Sequence, residues 1–132
     1  MSANDTSGFE IDGEPALDLP SRAEFERWLT DAAEEVRAVW LRTAKKSSQL
    51  TSITEDETVD VGLCFGWVSA VRRKWDDDTY VQRYTRRRPR SKWSRINIAK
   101  VERLTAEGRM RPAGLAEVDA AKADGRWDNP WT

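Results

Sequence analysis

Apolar residues recur along this chain at two different spacings, and each spacing predicts its own kind of element. Phe25, Trp28, Leu29, Ala32 and Ala33 follow helical spacing. They come after Ser21-Arg22-Ala23-Glu24, an order in which serine and glutamate satisfy each other's backbone N–H groups at a helix start, so a helix is expected over about 22–35. The short apolar run over 36–44 ends in Lys45-Lys46-Ser47-Ser48 and reads as a strand entering a polar loop. Thr54-Glu55-Asp56-Glu57 repeats the capping order ahead of Val59, Leu63 and Cys64, with Gly66 as the breaker. From Trp67 to Trp75 and from Thr79 to Arg86, apolar and basic residues alternate around Asp76-Asp77-Asp78, the pattern of a hairpin with one wet, arginine-rich face. Ser91 or Ser94 is placed to cap a third helix with Ile96, Val101 and Leu104 inward and Gly108 as its stop. A fourth begins near Pro112, whose fixed φ suits a first helical position, and ends at Gly125.

Helix, strand, helix, two strands and two helices in that order predict an α+β domain with about four helices and a short, mostly antiparallel sheet. Residues 1–15 are polar and without periodicity and read as a flexible tail, leaving 16–132 as one domain. The order acid, glycine, arginine, hydrophobe occurs twice, at Glu107-Gly108-Arg109-Met110 and Asp124-Gly125-Arg126-Trp127. Two helix endings account for it: each glycine takes the left-handed conformation and each hydrophobe packs back on the last turn.

A chain of 132 residues has room for one core, and seven tryptophans supply it with large apolar surfaces. No run is long enough to cross a bilayer and the start lacks the pattern of a signal peptide, so a cytoplasmic location is expected. Cys64 is the one cysteine and there is no histidine, so neither a disulfide, a metal site nor a cofactor is expected. The net charge of -1 conceals an asymmetry: residues 1–40 hold ten acids and three bases, residues 72–111 fourteen bases and five acids. Such blocks attract oppositely charged partners or satisfy each other within the fold.

Ordered motifs give the chain a family likeness. Leu63-Cys64-Phe65-Gly66-Trp67-Val68, Thr79-Tyr80-Val81-Gln82-Arg83-Tyr84-Thr85 and Arg87-Arg88-Pro89-Arg90-Ser91-Lys92-Trp93-Ser94 lead it, followed by Asn97, Pro112-Ala113-Gly114-Leu115 and the segment ending at Trp127. Together with Phe25, Trp28-Leu29 and Trp40-Leu41, these resemble the bacteriocin-protection family, also called YdeI/OmpD-associated proteins, over roughly residues 20–127. The resemblance implies a part in tolerance of bacteriocins and cationic antimicrobial peptides, and it brings no catalytic residues with it. Two positions depart from the family pattern, Ser69 where members carry aspartate and Arg86 where they carry proline.

The candidate ligand site is Arg83, Tyr84, Arg86, Arg87, Arg88, Arg90, Lys92 and Trp93, because clustered guanidiniums bind phosphate or carboxylate while aromatic rings stack. Asn97, polar on an apolar helix, is open to lining the same pocket or to facing solvent. The alternative for the cluster is a solvated loop whose arginines pair with the acidic N-terminal region while Tyr84 and Trp93 fill the core. Cys64 reads as a small buried hydrophobe, Asp76-Asp77-Asp78 as a turn, and Trp28, Trp40 and Trp67 as core, whereas Trp127 and Trp131 are open to covering a surface groove. The leading expectation is a non-enzymatic stress or peptide-tolerance protein that binds an anionic ligand or protein partner through the basic, tryptophan-bearing site. Cationic peptides would use the acidic N-terminal region instead. Nucleic-acid binding is a second reading, opposed by a sequence pI near 5.6. A small-molecule enzyme is the third, for which no nucleophile, base and oxyanion donor can be assembled.

Overall fold

The computed structural model describes residues 8–130. Within them the chain forms β1 (Gly8–Ile11), β2 (Glu14–Asp18), α1 (Arg22–Asp31), β3 (Ala38–Ala44), α2 (Glu55–Cys64), β4 (Trp67–Lys74), β5 (Thr79–Arg86), α3 (Arg95–Ala106) and α4 (Pro112–Ala123). The fold is α+β. Its single five-stranded sheet has the order β1-β2-β3-β5-β4, in which β2 and β3 run parallel and the other three pairings are antiparallel. No helix among the described residues is long and apolar enough to cross a membrane.

The capping signals act as expected. Ser21 and Glu24 bond reciprocally at the start of α1, Thr54 and Glu57 do so at α2, and Ser94 accepts from the Asn97 N–H at α3. Gly108 and Gly125 both have positive φ just beyond α3 and α4, and Met110 and Trp127 pack against the core, so the repeated motif is a pair of helix endings.

The tail expected over 1–15 is corrected from Gly8 onward. Asp12 and Gly13, with φ of 54° and 80°, turn β1 into β2 with Ile11 paired to Glu14, the two-residue connection whose twist suits a hairpin. Residues 1–7 lie outside the described residues.

All four helices cover one face of the sheet. There Leu17, Val39, Leu41 and Tyr84 meet Phe25 and Leu29 of α1, Val61 and Leu63 of α2, Val101 and Leu104 of α3, and Val118 and Ala121 of α4. Trp67 belongs to this core, Cys64 is buried in it, and Trp28 packs edge-on against Trp67. Burial pushes the Cys64 thiol pKa up, as fits a packed hydrophobe. The opposite face carries a smaller cluster of Ile11, Ala16, Trp40 and Val81.

That second face answers part of the charge asymmetry. Glu14 takes a two-pronged bond from Arg83 at 2.9 and 2.7 Å and also accepts from the Trp40 indole at 2.9 Å. Asp12 pairs with Arg73 at 2.7 Å, and Asp18 with Arg42 at 2.6 Å. Arg73 in turn lies over the Trp40 ring. The acidic hairpin is therefore folded onto the basic strands, and three of the acids expected to attract cationic peptides are already partnered.

One close approach fixes α4. A Cβ on Gly114 would sit 2.3 Å from the Cys64 carbonyl oxygen, so only glycine lets α4 cross the end of α2 at this distance. The Arg111 N–H bonds that same carbonyl at 3.0 Å.

Candidate cationic cleft

The segment between β5 and α3 divides the expected site in two. Arg83 is committed to Glu14. Tyr84 is a core residue whose hydroxyl bonds the Thr58 hydroxyl, and burial raises its phenol pKa. Arg86 donates to the Val36 and Ala33 carbonyls at 2.9 and 3.0 Å and lies over the Trp67 ring, which ties β5 to the end of α1. Asn97 sits in the first turn of α3, half-buried, where its N–H meets the cap. None of these four lines the cleft described below.

Arg87 is different. Only 5% of it is exposed, its guanidinium lies 3.7 Å from the centroid of the Trp93 ring, and Nη1 donates to the Lys92 carbonyl at 3.2 Å. Nε and Nη2 are buried with no hydrogen-bond partner among the described residues, and the Trp93 indole N–H is likewise unpartnered there. Burial pushes the Arg87 pKa down to about 10, with Glu117 opposing the shift and Arg126 adding to it, so the group remains a cation at neutral pH. A buried cation without an ion pair is costly, and the cation–π contact offsets part of that cost.

Beside this pair the chain makes a tight turn. The Ser91 N–H bonds the Arg88 carbonyl at 3.0 Å, Pro89 occupies the second turn position, and Arg90 the third with φ of 68°. Glycine is the natural residue there, because a Cβ in the left-handed region crowds the backbone. Arg88, Pro89, Arg90 and Lys92 are all exposed.

The end of α4 closes the other side, a contribution that lay beyond the expected residues. Arg126 donates Nη1 to the Ser91 carbonyl at 2.6 Å and grips Asp124 through Nε at 2.8 Å, while Trp127 meets Trp93 edge-on with centroids 5.0 Å apart. Between them lies a cleft of about 560 Å³ lined by Arg90, Lys92, Trp93, Asp124, Arg126 and Asn129. The recurring order of acid, glycine, arginine and hydrophobe was the available signal for Arg126: the same αL glycine that ends α4 returns the arginine and tryptophan to the loop.

The expected aromatic stacking platform is corrected by burial. Tyr84 and Trp93 are 1% and 2% exposed, and Trp93 is already flanked by Arg87 and Trp127, so neither ring is open to a base. The cleft is instead a cationic notch with one carboxylate and a buried cation behind its tryptophan wall. Trp131 lies outside the described residues.

No curated protein and no solved structure matches the chain. Residues 17–117 match the family described as a domain of unknown function (DUF8412), a span that takes in the sheet from the end of β2 onward, the turn bearing Arg90 and the first half of α4. The match covers well over half of the chain, and the protein belongs to the DUF8412 family.

Proposed function

We propose that this domain is a binding module that captures a phosphate-bearing or carboxylate-bearing ligand in the cleft between the 88–93 loop and the end of α4. The observation that carries the reading is the buried Arg87, a cation with two nitrogens unpartnered among the described residues, set behind a notch rimmed by Arg90, Lys92 and Arg126. Arg90 and Lys92 supply exposed charge for capture, Arg126 a guanidinium already aimed by its bond to Ser91, and Arg87 a field that the surrounding low dielectric leaves weakly screened. Asp124 holds Arg126 in place. The absence of histidine from the sequence and the buried thiol of Cys64 favour binding over nucleophilic catalysis.

The resemblance to bacteriocin-protection proteins supplies the physiological side of the proposal, a part in tolerance of bacteriocins or cationic antimicrobial peptides. On this reading the bound species is an anion rather than the peptide, because Asp12, Glu14 and Asp18 of the N-terminal hairpin are partnered within the fold.

Isothermal titration with sodium tripolyphosphate at low and high salt tests the binding claim on the wild type and on the double variant Arg90→Ala/Lys92→Ala. Saturable binding that weakens with salt and falls at least about tenfold in the variant is expected. Equal affinity of the two proteins removes the cleft from consideration.

A further inference from the structure

A second and larger cleft, about 810 Å³, lies on another part of the molecule, where the loop after β3 passes the start of α2 and the edge strand β4. Its volume is within the range of small-molecule pockets. Lys45, Lys46 and Lys74 line it, and none of the three has an ion-pair partner among the described residues. Of the two acids at the same site, Glu55 is engaged by Arg72 and Asp56 is exposed to solvent. Glu55 accepts from Arg72 at 2.6 Å, and Asp56 faces Lys100 at 4.0 Å.

The remaining lining sets the apolar surfaces of Leu50, Ile53 and Tyr80 among the polar side chains of Ser48, Ser52 and Thr54. Leu50 is 45% exposed and offers an apolar surface at the edge of the cleft. Tyr80 is held by the Arg72 guanidinium 4.1 Å from its ring centroid, and Arg72 is fixed in turn by Gln82 at 3.0 Å and by Glu55. The wall is thus preorganised, which lowers the entropy lost on binding.

We infer that this cleft binds a small amphipathic acid, with an aromatic or aliphatic body against Leu50 and Tyr80 and an acidic group held by the three lysines. A bare inorganic anion would leave Leu50 in water, and a neutral apolar molecule would leave the lysines uncompensated. An amphipathic acid answers both. The inference is independent of the Arg87 cleft, since the two linings share no residue.

The test is a two-dimensional amide NMR titration with indole-3-acetate and with adenosine 5′-monophosphate, each set against its neutral counterpart, indole-3-acetamide or adenosine. The expected result is saturable shifts at Leu50, Ser52, Thr54 and Tyr80 from at least one acid and not from its neutral partner, and the pair of acids separates a carboxylate from a phosphate. In Lys45→Gln/Lys74→Gln, whose exposed or half-exposed sites leave the fold intact by the dispersion of its spectrum, the affinity falls at least about tenfold. The inference is overturned by no saturation below about 5 mM from either acid, by equal shifts from the neutral partners, or by undiminished binding in the variant. Shifts confined to Arg90, Lys92 and Trp93 also overturn it, and they count for the other cleft.

Discussion

Arg87 stacks on Trp93 at 3.7 Å, and neither its Nε nor its Nη2 finds an acceptor among the described residues. Stability alone gives no reason for this arrangement, because an apolar side chain of similar length would fill the space without a desolvated charge. Arg87→Met is therefore expected to keep the protein's stability or raise it by up to about 2 kcal/mol, while weakening anion binding. Urea unfolding together with a tripolyphosphate titration separates the two effects. A large loss of stability would mean that the guanidinium serves the fold.

Arg90 poses the same question through the backbone. Its φ of 68° costs a residue with a Cβ about 1 kcal/mol, and glycine relieves it. Arg90→Gly should unfold at a higher urea concentration and yet bind tripolyphosphate more weakly. A variant that loses stability would show that the turn needs the arginine side chain.

Gly114 tests the packing of α4. With a Cβ only 2.3 Å from the Cys64 carbonyl oxygen, Gly114→Ala must push α4 away from α2, at a cost of about 1–3 kcal/mol despite alanine's better helix propensity. Thermal unfolding followed by circular dichroism measures it, and an unchanged midpoint would contradict the contact.

Acid should weaken the fold through three carboxylates. The Arg83 bond holds Glu14 below its ordinary pKa, the Arg126 bond does so for Asp124, and the Thr79 hydroxyl together with the turn N–H groups and Arg42 brings Asp76 down to about 2. Each group ionises more readily folded than unfolded, so its contribution is present at neutral pH and is lost as pH falls below about 4 and on toward 2. Melting midpoints should decline over that window. Glu14→Gln should cost about 1 kcal/mol at neutral pH and progressively less as the acid is approached.

Much of the fold was legible because its signals are local. The capping boxes at Ser21 and Thr54, the glycines at 66, 108 and 125 and the alternation through β5 each act within a few residues. The first two strands were missed although Asp12-Gly13 is a strong hairpin pair, because four- and five-residue strands bearing Glu10, Glu14 and Pro15 carry little hydrophobic periodicity. The site was legible only in part. Sequence clustering brought Arg83, Arg86 and Arg87 together, but strand alternation and burial send Arg83 to the outer face, Arg86 to the end of α1 and Arg87 beneath the loop. Arg126 joins through a contact 35 residues away in sequence, a distance over which no local pattern speaks.

The central claim is that an anion occupies the notch in front of Arg87 and Trp93. The most direct measurement is an amide and indole NMR titration of the wild type with tripolyphosphate. Saturable shifts are expected at the backbone N–H groups of Arg90, Lys92 and Arg126 and at the indole N–H of Trp93, whose nitrogen has no partner among the described residues. Saturable shifts at other positions alone, or a spectrum unchanged to saturating ligand, would contradict it.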